Sequence, residues 1–150
     1  MEIKNKYNIN PILFEVTNEK DEPFFKIYYK NYLPADIKIQ SILYFPEKTR
    51  DLISHSKNNY IYLTLFSTDK VTPQLLYQKI KFSASQLSED GLLKFEFNTS
   101  FPASSKLHMF KTGMRRIRLS YSNREWDDQD LEDGAFIDTY IPYEVILDER

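Results

Sequence analysis

Along residues 114–121, Ile117, Leu119 and Tyr121 alternate with Arg116, Arg118 and Ser120. That is the period-two pattern of a strand with one buried and one wet face. An acidic loop follows, with Glu125, Asp127, Asp128, Asp130, Glu132 and Asp133 around the sole tryptophan, Trp126. After Gly134 the chain is extended again, with Ile137, Thr139, Ile141 and Val145 on one side. Residues 114–147 therefore read as the central hairpin of an all-β domain.

Other segments repeat the alternation. Residues 12–16 form a short apolar strand, and Phe25, Ile27 and Tyr29 oppose Lys26 and Lys30. Ile37, Ile39, Ser41 and Leu43 share one face of a third strand, which Pro46 stops because proline cannot donate to a ladder. Residues 60–66 are apolar on both faces. Ile80 and Phe82 oppose Lys79 and Lys81, and Leu93, Phe95 and Phe97 point inward after the turn at Glu89, Asp90 and Gly91. Residues 1–10 read as a polar lead-in, residues 46–59 as a long loop with at most one helical turn, and residues 83–88 as a short helical turn. The pattern predicts one continuous core of Ile27, Ile39, Ile61, Leu63, Leu65, Phe95, Phe97, Ile117, Leu119 and Ile137. Short strands punctuated by turns predict an antiparallel β-sandwich, immunoglobulin-like or C2-like, of about eight strands with few or no helices.

Composition narrows this further. A chain of 150 residues matches one domain spanning residues 1–150, large enough to bury a core without staples. The absence of cysteine excludes disulfides, thiolate metal sites and a cysteine nucleophile. With three glycines, neither GxGxxG nor GxxxxGK[ST] can be written, so nucleotide enzymes of those types are excluded. A net charge of -2 argues against non-specific nucleic-acid binding, which needs a concentrated basic face. The N-terminus has no apolar run of signal-peptide type, and no segment reaches the ~18 apolar residues of a membrane span. These features predict a cytoplasmic protein with no membrane partner.

Candidate chemistry centres on the hairpin. Counting an EF-hand from Asp128, Asp130 and Glu132 occupy the third and fifth positions. The sixth is Asp133 and the twelfth Thr139, where glycine and glutamate are required. The acidic loop thus reads as a solvated hairpin loop, a protein-binding surface, or a calcium site of another type. Arg116 and Arg118 share a face about 7 Å apart, given ~3.4 Å rise per residue. They can clamp a carboxylate or phosphate, or pair with Glu96, Asp138 or Glu144 on neighbouring strands. His55 and His108 lie outside any HExxH, and no GxSxG elbow exposes a serine. No catalytic residue, metal or cofactor is assigned.

The order of features from residue 60 onward resembles competence protein J, a family of small bacterial nuclease inhibitors. The resemblance rests on a strand like residues 60–66, a polar loop, and a strand like residues 77–82. It continues with the turn at residues 89–91, the strand after Gly113, and an acidic loop leading to Asp138, Thr139 and Tyr140. It implies a compact, non-catalytic β protein that blocks a partner enzyme by binding it. The residues agree in one respect, since carboxylates can stand where a basic nuclease expects phosphates. The binding residues expected on this reading are Trp126, Asp127, Asp128, Asp130, Glu132 and Asp133, with Arg116 and Arg118. Trp126 is either an interface anchor or a cap on the core. Two other readings stay open: an assembly subunit that oligomerises through aromatic strand faces, and a sandwich module binding calcium or carbohydrate.

Overall fold

The computed structural model describes residues 3–18, 20–22, 26–30, 35–66, 75–101, 113–124 and 128–148. They are mostly antiparallel β-structure in two sheets, with two short helices. The strands are β1 (Asn10–Asn18), β2 (Lys26–Lys30), β3 (Ala35–Tyr44), β4 (Asn59–Phe66), β5 (Leu75–Phe82), β6 (Leu92–Phe101), β7 (Gly113–Ser122) and β8 (Ala135–Asp148). The helices are α1 (Glu47–His55) and α2 (Asp128–Asp133). One sheet runs β1-β3-β6 and the other β2-β8-β7-β4-β5. The β7–β8 hairpin is central to the larger sheet, as the alternation predicts. One pairing departs from the antiparallel expectation, because β2 lies parallel to β8, with Ile27 opposite Val145.

Both sheets contribute to one hydrophobic cluster. Ile39, Phe95 and Phe97 of the smaller sheet join Ile61, Leu63, Leu65, Ile117, Leu119 and Ile137 of the larger one. Every member of the predicted core is there except Ile27, whose side chain lies outside those described. A hydrogen bond from Gln78 to Thr99 (2.9 Å) links the two sheets. Phe136 and Ile137 are adjacent yet both buried, which strict alternation forbids. The register shift between Leu119 and Ser120 resolves this: Leu119 faces Ile137 while Ser120 faces Ala135. Phe136 is the extra residue of a bulge.

Three expectations need correction. Residues 46–59 are not a loop with one helical turn, because Glu47–His55 forms a full helix. Its inward positions are Thr49 and Ile53, both buried, with Leu52 packed against the core; with only two of these three apolar, the stripe is too short to register as an amphipathic pattern. The lead-in is anchored. Ile9 is buried, and the Asn5 side chain both donates to its carbonyl and accepts from its amide. Tyr7 meets Tyr121 edge-on at 4.9 Å, and its carbonyl accepts from Thr49 Oγ1. Part of the acidic loop is also helical, as α2.

Tyr121 is the hub at this end of the core. Its ring is fully buried and contacts Tyr7, Phe45 and Phe82. Its hydroxyl donates to Asn59 Oδ1 at 2.6 Å, and Asn59 Nδ2 donates to the Ile53 carbonyl. That chain of bonds ties β7 to the end of α1. Burial pushes the Tyr121 phenol well above its ordinary pKa, so it remains a neutral donor.

Candidate interaction face

The outward face of β4, β7 and β8 gathers the polar chemistry of the hairpin. The ladders place Thr64 opposite Arg118, Asp138 opposite Arg118 and Tyr140 opposite Arg116. Residues paired in this way project to the same side of a sheet. Arg116 grips Asp138 bidentately, Nε to Oδ1 at 2.7 Å and Nη2 to Oδ2 at 2.7 Å. Arg118 Nε donates to Oδ2 of the same carboxylate at 3.1 Å. Both guanidinium groups also stand over the Phe66 ring, at 4.2 and 5.0 Å from its centroid, a favourable placement for a cation.

The triad is well shielded. The Asp138 side chain is 4% exposed and the two arginines 18% and 16%. Burial alone would raise the Asp138 pKa, but the hydrogen bonds and charges of Arg116 and Arg118 outweigh it and hold the carboxyl below its ordinary range. The same bonding raises Arg116 further. Beside this ordered platform Tyr140 is 53% exposed. The two arginines thus take the partner on the neighbouring strand that alternation allowed. Their charge is shared with Asp138 instead of being held open for a second anion.

α2 covers the other end of the face. Leu131 is buried against Tyr60 and Tyr62, and its carbonyl accepts from Ser120 Oγ at 2.6 Å. Gly134 lets the chain turn here: its carbonyl accepts from the Tyr121 amide, and a Cβ on it would collide with the Tyr121 carbonyl oxygen. Of the expected acidic residues, Asp130 pairs with Arg124 (2.7 Å) and Asp133 with Lys4 (3.0 Å). Glu132 is exposed. Asp128 opens α2, and its side chain lies outside those described, as do Glu125, Trp126 and Asp127 altogether. Asp130 and Asp133 therefore turn towards different cations. Among the described residues no three His, Cys, Asp or Glu side chains gather as a metal would require.

Phe66 and Tyr140 were not among the binding residues expected from the sequence. Period-two extension puts each on the correct side of its own strand, but only the register sets both beside the arginines. The Ser54–His55 contact is not a nucleophile–base pair. His55 Nδ1 lies 2.7 Å from the Asp51 carbonyl and 3.2 Å from Ser54 Oγ. A carbonyl at that distance requires Nδ1 to carry the proton, so this nitrogen cannot accept one from the serine. His108 lies outside the described residues. Among the described residues, no helix is long and apolar enough to cross a membrane.

No protein-family model matches the chain, and no curated protein sequence matches it. Among solved structures, it is similar to part of the Pseudomonas fluorescens alkylpurine DNA glycosylase AlkC, bound to DNA containing an abasic site analog. The TM-score is 0.51 at 6% identity, over 91% of this chain and 30% of that one. A beta-glucosidase from Listeria innocua also matches, in complex with gluconolactone (TM-score 0.43, 10% identity) and with glucose (0.40, 8%). Each of those matches covers 88% of this chain and 16% of the glucosidase. The chain thus spans less than a third of the glycosylase. At 6% identity that likeness is one of fold alone.

Proposed function

We propose that this chain is a non-catalytic β-sandwich that binds another protein through the outer face of β4, β7 and β8, and that it acts as an inhibitor of a partner enzyme in the cytoplasm. The observation that carries the reading is the Arg116–Arg118–Phe66–Asp138 platform with Tyr140 exposed beside it. Arginine and tyrosine, with tryptophan, dominate the energetics of protein interfaces. Side chains already held by ion pairs and stacking lose little further freedom on binding. One buried cluster fed by both sheets supports a two-layer packing of sandwich type.

Helix α2 adjoins this face, and Glu132 is exposed there. On this reading Glu132, with Trp126, Asp127 and Asp128 of the same acidic stretch of sequence, meets a basic partner such as a nuclease. In that arrangement the carboxylates mainly accelerate encounter, while Trp126 and Tyr140 anchor the contact.

A photo-crosslinking residue placed at Tyr140 tests the proposal by trapping the partner. Tyr140→Ala and Trp126→Ala should then each weaken binding to the trapped, purified protein by ~2 kcal/mol while leaving the melting temperature almost unchanged. Titrating the chain into a captured nuclease should abolish cleavage at one equivalent. A shielded Trp126 indole with a ~3–5 kcal/mol loss of stability on truncation would make it a core cap instead. Concentration-dependent self-association with no heterologous partner would favour an assembly subunit.

A further inference from the structure

A groove of about 570 Å³ lies where the end of α1 meets the end of β5 and the 3-10 turn Ala84–Gln86. Its size is within the ~300–1,000 Å³ of small-molecule sites. Ile53 and Phe82 supply its apolar part, and among the described residues no acidic side chain lines it. In a chain with 22 acidic residues, that composition selects against cations.

The polar lining divides by chemistry. On the β5 side, the Gln86 side-chain oxygen accepts from the Ser83 amide, which leaves its Nε2 as a donor. Ser83 Oγ and Ser85 Oγ lie 2.8 Å apart. One hydroxyl proton bridges them, and the other is available to a ligand. Lys57 and Lys81 line the groove as well, and among the described residues neither is in an ion pair, so both ammonium groups are within reach of an anion bound there. On the α1 side the polarity reverses. Ser54 Oγ donates to the Asp51 carbonyl and Ser56 Oγ to the Leu52 carbonyl; Ser54 Oγ also lies 3.2 Å from His55 Nδ1 and Ser56 Oγ accepts from Asn123 Nδ2 at 3.4 Å, so each hydroxyl keeps one lone pair for a ligand donor. Those bonds, with the Asn59 donation to the Ile53 carbonyl, also give the Leu52 and Ile53 carbonyls of the last turn of α1 side-chain partners.

We infer that this groove binds a small phosphorylated polyol, a sugar phosphate. The phosphate is taken by Lys57, Lys81, Gln86 and the Ser83–Ser85 pair, and sugar hydroxyls donate to Ser54 and Ser56. The site is separate from the Arg116–Asp138 platform, so it can fail or hold independently of the protein-binding proposal.

Amide chemical shifts of the full chain test this, titrated with glucose 6-phosphate, inorganic phosphate and glucose at matched ionic strength. Glucose 6-phosphate should saturably shift the amides of residues 54–57 and 83–86, with phosphate weaker and glucose weaker still. Lys57→Gln with Lys81→Gln, both at exposed positions, should keep the melting temperature and weaken glucose 6-phosphate at least about tenfold, the loss of one charge-assisted bond. Three results would each overturn the assignment: equal shifts with sodium chloride alone, equal affinity for unphosphorylated glucose, or unchanged affinity in the double variant.

Discussion

Asp138 is the most informative residue to remove, because one carboxylate holds two arginines. At 4% exposure it is a buried ion whose desolvation is offset by three charge-assisted hydrogen bonds. Removing it leaves Arg116 and Arg118, 18% and 16% exposed, beside each other with no shared counter-charge. Breaking a buried pair from one side costs ~3–5 kcal/mol. For Asp138→Ala, ~4 kcal/mol and a urea m-value of about 2 kcal/mol/M imply a midpoint lower by ~2 M. Arg118→Ala should cost less, because the bidentate Arg116 bond survives. The pH dependence gives a second readout of the same interaction. The folded pKa lies below the ordinary 3.8, so this stabilisation is present above the unfolded value and is lost as pH falls through the folded one. The wild-type protein should therefore lose stability on acidification below about pH 4 more steeply than Asp138→Asn, whose site cannot titrate. An Asp138→Ala cost under about 1 kcal/mol, the range of a surface ion pair, with parallel acid limbs for wild type and Asp138→Asn, would refute the argument.

Other expectations follow from packing. Leu63→Ala, at a fully buried position in the middle of β4, should cost ~2–5 kcal/mol in urea unfolding. Gly134→Ala should cost ~2–3 kcal/mol or more, since the new methyl meets the Tyr121 backbone and not a movable side chain; melting temperature measures it. Tyr121→Phe removes the bond to Asn59 Oδ1 and leaves that buried oxygen short of a donor, at ~1–3 kcal/mol. Hydrogen exchange should then rise at the end of α1, the element that Asn59 ties to β7.

Periodicity by itself determined most of the β-structure. A strand with one buried face must alternate, so Ile117 and Leu119, or Phe95 and Phe97, are legible wherever they stand in the chain. The inward residues of the larger sheet followed from that alone. Helix α1 was illegible because its inward face holds only two apolar residues, Leu52 and Ile53, beside the polar Thr49. The burial of Ile9 and the packing of the half-buried Tyr7 depend on tertiary partners such as Tyr121. Alternation is also silent about which strands become neighbours, since hydrogen-bonding backbone is the same in every strand. The parallel β2–β8 pair and the bulge that admits Phe136 are therefore products of the assembled sheets. The same holds for the interaction face. Sequence spacing puts Arg116 and Arg118 on one side of β7, but only the ladder register sets Asp138 between them, Phe66 beneath them and Tyr140 alongside.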